Sequence, residues 1–380
     1  MAQLFMSIPT FATDYSGAAS FLSDLGGMII IHGPTGCVGN FTGYDEPRWF
    51  NHPKMVFNSA LRQKDAILGD DSVIKNKIAE ACKIHGPPFV AILGTPIPDL
   101  IGCDLDGIAA EIEEETGVPA FGVNTNGYGF YQDGIDEAYS ALERRFPLHN
   151  EDIGDRTVNV VGCSPLDYFG RSDNITLREM IASAGRNIGY FQTDDALAGF
   201  LSAAKADRNV VVSASAVHIA ELMKKKHGIP YDAAVPVGSS GAERLQAFLT
   251  GGDRDDAPEG KGRRVLVVGD QVISNSIRDM IAHEFDLGSD VATFFQFHPS
   301  LAKNGDTHLR GESELEDILG SDRYDVVIGD PVFEPLIKRQ TFIPLPHPAT
   351  SGRIYRNFQV PIAGTDLVGY LGSRIPRSVL

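Results

Sequence analysis

The stretch Ile29–Phe41, IIIHGPTGCVGNF, sets an unbroken apolar run against a loop of glycine, proline and one cysteine. A run of isoleucines bounded by turn formers reads as a strand buried on both faces, as in parallel sheets flanked by helices. Beyond it, Gly33 and Gly36 are expected to permit positive φ and close backbone approach, and Pro34 stiffens the turn. Cys37 is therefore expected on a rigid, narrow loop that aims its thiol. The plainer reading makes Cys37 a small apolar residue closing a strand.

The pattern repeats outward from this stretch. GMIIIHG, PFVAILG, VNVVG, NVVVSAS, RVLVVGD and YDVVIGD are short apolar runs that end in glycine, serine or a carboxylate, as strand ends facing a ligand crevice often do. Between them, DSVIKNKIAEACKIHG and CDLDGIAAEIEEETG carry apolar residues at helical spacing and stop at Gly86 and Gly117, the usual C-terminal punctuation. The strand–helix alternation restarts near Thr157 and again near Arg263, and the charged, glycine-rich Gly251–Arg264 reads as a linker. The expected fold class is α/β, with three Rossmann-like domains, each a mainly parallel sheet flanked by helices, over residues 1–155, 156–260 and 261–380.

Composition narrows the function. The chain has 380 residues, 43% of them hydrophobic, with no membrane-spanning apolar run and no signal-peptide pattern at its start, so a cytoplasmic location is expected. Cysteines stand at 37, 82, 103 and 163 without a CxxC pair, which leaves no disulfide framework or zinc ribbon to read. A formal net charge of −17 argues against a nucleic-acid partner. No GxGxxG opens a helix after a strand and no GxxxxGK[ST] occurs, so neither NAD nor ATP is expected on this chain.

The words HGPTGC, ALRQKDAILGDD and GTPIPDLIGCDLDGIAAEIEEETGVPAFGVNTNGY, in this order and spacing, resemble the component 1 proteins of nitrogenase and its relatives. These include the dinitrogenase chains, their cofactor-assembly homologues and the dark-operative protochlorophyllide reductase subunits. VNVVGCSP, RVLVVGD, YDVVIGD and TFIPLPHPATSGR extend the resemblance, more loosely, along the chain. It implies a three-domain subunit that pairs with a like subunit and holds an iron–sulfur cluster between them. Of the three cysteine positions in dinitrogenase chains, the middle one falls on Cys37. The first falls near Phe11–Gly17 and the third beside Pro96, and neither carries a cysteine. The resemblance thus points to a smaller 4Fe-4S cluster shared across a subunit interface, as in the protochlorophyllide reductase relatives.

Cys103 stands where the family has an aspartate at a helix start, and a helix N-terminus favours the thiolate, so Cys103 is the second candidate ligand. Cys82 and Cys163 read as core residues. A second site is expected where polar groups follow strands: His218, Ser239 and Ser240 with Gly241 as an anion-binding loop, Asp270, His298, His347 and Arg353. No cysteine follows Cys163, which excludes a late cysteine as ligand to an iron–molybdenum type cofactor. Gly39–Phe50 offers Phe41, Tyr44 and Trp49 beside Asp45, Glu46 and Arg48. That mix suits either a docking patch for an ATP-dependent iron protein or packing within the core. The expected function is the catalytic component of a nitrogenase-like oxidoreductase, receiving electrons from that iron protein and reducing a small molecule or tetrapyrrole. The alternatives are a non-catalytic scaffold for cofactor assembly, or a dinitrogenase subunit with a cysteine-richer partner.

Overall fold

The computed structural model describes residues 5–51, 54–148, 156–168, 170–193, 196–252, 258–352, 354, 357 and 360–380. Among these, three all-parallel sheets carry the chain. The first has the order β2-β1-β3-β4, from β1 (Met28–Ile31), β2 (Val56–Asn58), β3 (Val90–Leu93) and β4 (Ala120–Val123). The second, β6-β5-β7-β8, uses β5 (Thr157–Val161), β6 (Asn187–Phe191), β7 (Arg208–Val211) and β8 (Tyr231–Ala233). The third, β11-β10-β9-β12-β13, uses β9 (Lys261–Val268), β10 (Leu287–Thr293), β11 (Thr307–His308), β12 (Val326–Gly329) and β13 (Thr341–Pro344). All six strand words of the sequence are present as β1, β3, β5, β7, β9 and β12, each at the centre of its sheet. β9 starts at Lys261, inside the stretch read as a linker; residues 253–257 of that stretch lie outside those described.

Around the first sheet lie α1 (Asp14–Asp24), α2 (Thr35–Asn40), α3 (Gln63–Leu68), α4 (Ser72–His85), α5 (Pro96–Leu100), α6 (Leu105–Thr116) and α7 (Tyr131–Arg145). The isoleucine run is buried on both faces as its composition demands. Ile29 and Ile31 enter the core against α1 and α7, while Met28 and Ile30 enter the core against α4 and α6. α4 and α6 end at Gly86 and Gly117 with φ of 56° and 69°, a left-handed turn that glycine makes without a Cβ clash. Gly33 and Gly36 do not share that geometry, for neither has positive φ. Gly33 is needed for space instead: a Cβ there would fall 2.1 Å from Thr95 Oγ1.

The second sheet carries α8 (Arg171–Ser183), α9 (Leu197–Leu201), α10 (Val217–His227) and α11 (Gly238–Thr250); the third carries α12 (Gln271–Phe285) and α13 (Glu312–Gly320). One carboxylate joins the segment before α1 to the third sheet: Glu312 accepts hydrogen bonds from the N–H groups of Met6, Ser7 and Ile8 at 2.9–3.1 Å. No helix of the described residues is long and apolar enough to cross a membrane.

Candidate functional site

Each sheet has a switch point, where the connections from neighbouring central strands leave toward opposite edges: β1/β3, β5/β7 and β9/β12. The carboxyl ends of the strands there open the crevices of this architecture.

At the first switch point, the chain beyond β1 enters the short helix α2 rather than an open loop, and α2 widens into a π-turn over Phe41–Asp45. Cys37 lies inside α2, its N–H directed to Pro34 O at 3.3 Å, and its side chain is half-buried against the first core. Gly36 faces open space. Burial pushes the nearby Tyr15 phenol up to about 12, and the Cys37 thiol and Asp45 act in the same direction.

Within Gly39–Phe50, Phe41, Asp45 and Glu46 take the core alternative, while Phe50 is 74% exposed. Phe41 is fully buried and meets Trp49 edge to face, with ring centroids 6.2 Å apart. Asp45 is buried and accepts from Ser16 Oγ at 2.6 Å and Asn40 Nδ2 at 2.9 Å. Glu46, 1% exposed, accepts from Ser20 Oγ at 2.8 Å and pairs with Arg48, which also reaches the buried Asp24. Tyr44 is half-buried over Ser351. Asp45 and Glu46 are therefore not a charged docking rim; they tie the π-turn to α1. Glu46→Lys should then destabilise the fold by about 3–5 kcal/mol, since it sets a buried cation against Arg48 and leaves Ser20 Oγ without its acceptor. A thermal melt with the wild-type midpoint would contradict the buried pairing.

Cys103 is half-buried just before α6, but the helix start does not favour its thiolate. Asp104 occupies the N-cap, accepting from Gly107 N–H at 2.9 Å. Burial, followed by the charges of Asp71 and Asp104, pushes the Cys103 thiol up to about 11. Among the described residues, Cys37 belongs to no group of three His, Cys, Asp or Glu side chains close enough to hold a metal ion, whereas Cys103 belongs to one. Cys82 and Cys163 are buried in apolar cores, as read.

The second expected site does not converge. Ser239 and Ser240 lie in the first turn of α11 rather than in a loop, and Glu284 already fills the anion position there, accepting from Ser239 Oγ at 2.9 Å. His218 is on α10. His298 is half-buried, with its backbone clasped by the Gln271 amide; burial holds its ring below the ordinary value. His347 is buried against Phe295 and Tyr131, accepts from Ala349 N–H through Nδ1 at 3.2 Å, and is pushed by burial down to about 3, so its ring is neutral. Of these candidates, only Asp270 and His347 line the enclosed cavity between the sheets, with Phe11, Tyr168, Phe294 and Asp330 among its walls; its volume is about 30 Å³. That is room for one or two water molecules. Arg353 lies outside the described residues.

The second and third switch points face each other across a pair of carboxylates that strand-end reading had only half identified. Asp167 follows β5 and Asp270 follows β9, both buried. Ser213, beyond β7, is 2.7 Å from Asp167 Oδ1 and 3.0 Å from Asp270 Oδ2. One hydroxyl proton can point fully at only one of these contacts, which leaves the two buried carboxyl groups facing each other and favours a proton held by one of them. Burial, with the Asp270 charge behind it, raises Asp167 to about 7. Tyr131 OH donates to Asp167 at 2.8 Å and Gln132 Nε2 to Asp270 at 2.9 Å, which brings the start of α7 into the same network. The signal in sequence was the small or acidic residue after each strand; its pairing across sheets was not there to read.

Residues 13–250 match the family described as nitrogenase component 1 type oxidoreductase. The chain is 27% identical over 239 residues to the nitrogenase iron-molybdenum cofactor biosynthesis protein NifE of Clostridium pasteurianum, covering 59% of this chain and 50% of the relative. It is 25% identical over 229 residues to the nitrogenase molybdenum-iron protein alpha chain of Methanosarcina barkeri, covering 57% and 42%. The chain thus spans about half the length of these curated relatives. The solved structure of nitrogenase Cp1 at pH 6.5 superposes with a TM-score of 0.70 at 14% identity, over 100% of this chain and 96% of that one, a likeness of fold.

Proposed function

The chain belongs to the nitrogenase component 1 type oxidoreductase family, and from that premise we propose that it is an electron-accepting subunit whose Cys37 ligates a 4Fe-4S cluster completed by a homologous subunit. The observation that carries this is the Cys37 thiol, half-buried at an apolar sheet edge. In a parallel sheet every segment leaving a strand's carboxyl end emerges at one edge. Cys37 emerges there with α3, α5 and the turn after β4, which expose Ile67 (74%), Leu100 (78%) and Tyr128 (72%). Large apolar side chains grouped at one edge mark a surface that another protein covers. A four-iron cluster needs four ligands, and the half-buried thiols of this chain are only Cys37 and Cys103, so a cluster shared with another subunit fits and one held by the thiols of this chain alone does not. When bound, such a cluster stores and passes one electron at a time. The protein's own part is to fix the Cys37 thiol on α2 and to exclude water with the partner's face. The reductant is an ATP-dependent iron protein. The substrate class this reading carries is a small molecule or a tetrapyrrole.

The similarity to NifE supports a second reading, a scaffold that assembles a metal cofactor and hands it on. Anaerobically purified Cys37→Ala should lose most iron, sulfide and visible absorption while remaining soluble, and Cys37→Asp should retain more iron than the alanine variant. Equal iron in wild type and Cys37→Ala would remove Cys37 from the ligand set. Electron uptake driven by MgATP and the iron protein, with turnover of a reduced product, separates the subunit from the scaffold; release of a metal cluster to an acceptor without turnover marks the scaffold.

A further inference from the structure

At the first switch point three chemically unlike side chains meet, apart from the Cys37 group. His32, Asp71 and Cys103 each offer one ligand atom, and these atoms all lie within 4.8 Å of one another. They come from the ends of three sequence words, so the strand order brings together what the chain separates.

Each is held from behind. His32 is the first residue beyond β1; its N–H donates to Leu93 O at 2.9 Å and its carbonyl accepts from Thr95 Oγ1 at 2.7 Å. Its ring is 1% exposed, yet Nδ1 has no hydrogen-bond partner. Leaving such a nitrogen unpaired is expensive, and a ligand would relieve it. Asp71 is the N-cap residue of α4, but its carboxylate makes no capping bond. The preceding Asp70 takes up Ser72 instead, accepting from its N–H at 3.1 Å and its Oγ at 2.6 Å. Cys103 is fixed by its own N–H to Pro98 O at 2.9 Å, and the adjacent Asp104 is committed to capping α6.

We propose that His32, Asp71 and Cys103 form a mononuclear zinc site, with a fourth position open to water or an added ligand. The donor set selects the metal. Imidazole, carboxylate and thiolate together suit Zn²⁺, whereas Mg²⁺ and Ca²⁺ favour all-oxygen shells. Tetrahedral zinc bonds of about 2.0–2.3 Å place ligand atoms roughly 3.5 Å apart, so side-chain shifts of about 1 Å close the site. The charge arrangement agrees. Burial keeps the His32 ring neutral, which is the form that ligates. Two nearby carboxylates oppose a bare Cys103 thiolate, and a divalent cation reverses that opposition.

The test is Co²⁺ titration of the full chain after chelation of bound metal. Wild type should take up one equivalent with a thiolate-to-cobalt charge-transfer band and tetrahedral d–d bands, displaced by Zn²⁺. Because His32 is buried and its loss endangers the fold, the half-buried Cys103 and Asp71 serve as the mutated positions. Cys103→Ser should abolish the charge-transfer band and weaken binding on the order of 100-fold, and Asp71→Asn should weaken it roughly tenfold. Cys37→Ala should bind Co²⁺ like wild type even where it loses the iron–sulfur cluster, so the two readings fail separately. Absence of the band in wild type, its survival in Cys103→Ser, or its loss in Cys37→Ala would each overturn the site.

Discussion

Gly134→Ala is expected to shift urea unfolding to much lower denaturant, by more than the usual 1–3 kcal/mol of an overpacked core. Helices α1 and α7 bring their backbones together at Gly17 and Gly134. A Cβ on Gly134 would lie 1.7 Å from the carbonyl oxygen of Asp14, and one on Gly17 would lie 1.8 Å from that of Tyr131. Neither obstacle is a side chain that could rotate away. The backbones are also bonded to each other, Asp14 N–H to Gly129 O and Tyr131 N–H to Ala12 O, both at 3.0 Å. The Asp14 carboxylate adds to this by accepting from the N–H groups of Asn126 and Gly127 at 2.9 and 2.8 Å. Separating the helices by even an ångström forfeits these bonds together. Gly36→Ala, into open space, is the matched control and should stay near wild type. A wild-type midpoint for Gly134→Ala would refute the close crossing.

The second large effect is expected at the Asp167–Asp270 pair. Asp270→Ala removes the acceptor of Ala214 N–H, Ile273 N–H and the Gln132 amide, all buried, and should lower stability by about 3–5 kcal/mol. Asp167→Asn should behave differently, because its amide can donate toward Ser213 as the protonated carboxyl does. The sign of the pH effect follows from the raised Asp167. Between its ordinary value of 3.8 and about 7 the folded state holds a proton that the unfolded chain has released. The stability this gives is fully present below the ordinary value and is lost as pH rises toward 7, with a slope of up to about 1.4 kcal/mol per pH unit. Measured as wild type minus Asp167→Asn, which cancels other titrating groups, stability should fall across that window. A flat difference would show that the pair holds no shared proton.

How much of this was legible follows from the range of each interaction. Six interior strands and the glycine stops of α4 and α6 were readable because apolar runs and left-handed caps are local, whereas the interior strand β10, LGSDVAT, has no apolar run to read. The edge strands β11, with two residues, and β2, with three, were too short to show a period. Asp45 and Glu46 looked like surface charges because their partners, Ser16 and Ser20, lie a helix away on α1. Cys103 looked activated by a helix start, but Asp104 holds the cap, and burial with the neighbouring carboxylates behind it reverses the expectation. His32 was hidden within a strand-ending word, since nothing local marks which histidine lacks a partner.

The Glu312 clamp has a consequence for how the chain comes off the ribosome. The amides of Met6, Ser7 and Ile8 wait for a carboxylate 304–306 residues downstream. At translation rates of about 5–20 residues per second, that is roughly 15–60 s in which the amides of Met6, Ser7 and Ile8 lack this acceptor. A nascent chain stalled before residue 312 would carry residues 6–8 without that clamp, while Phe11, Ala12 and Thr13 are already held against Phe130 and Tyr131.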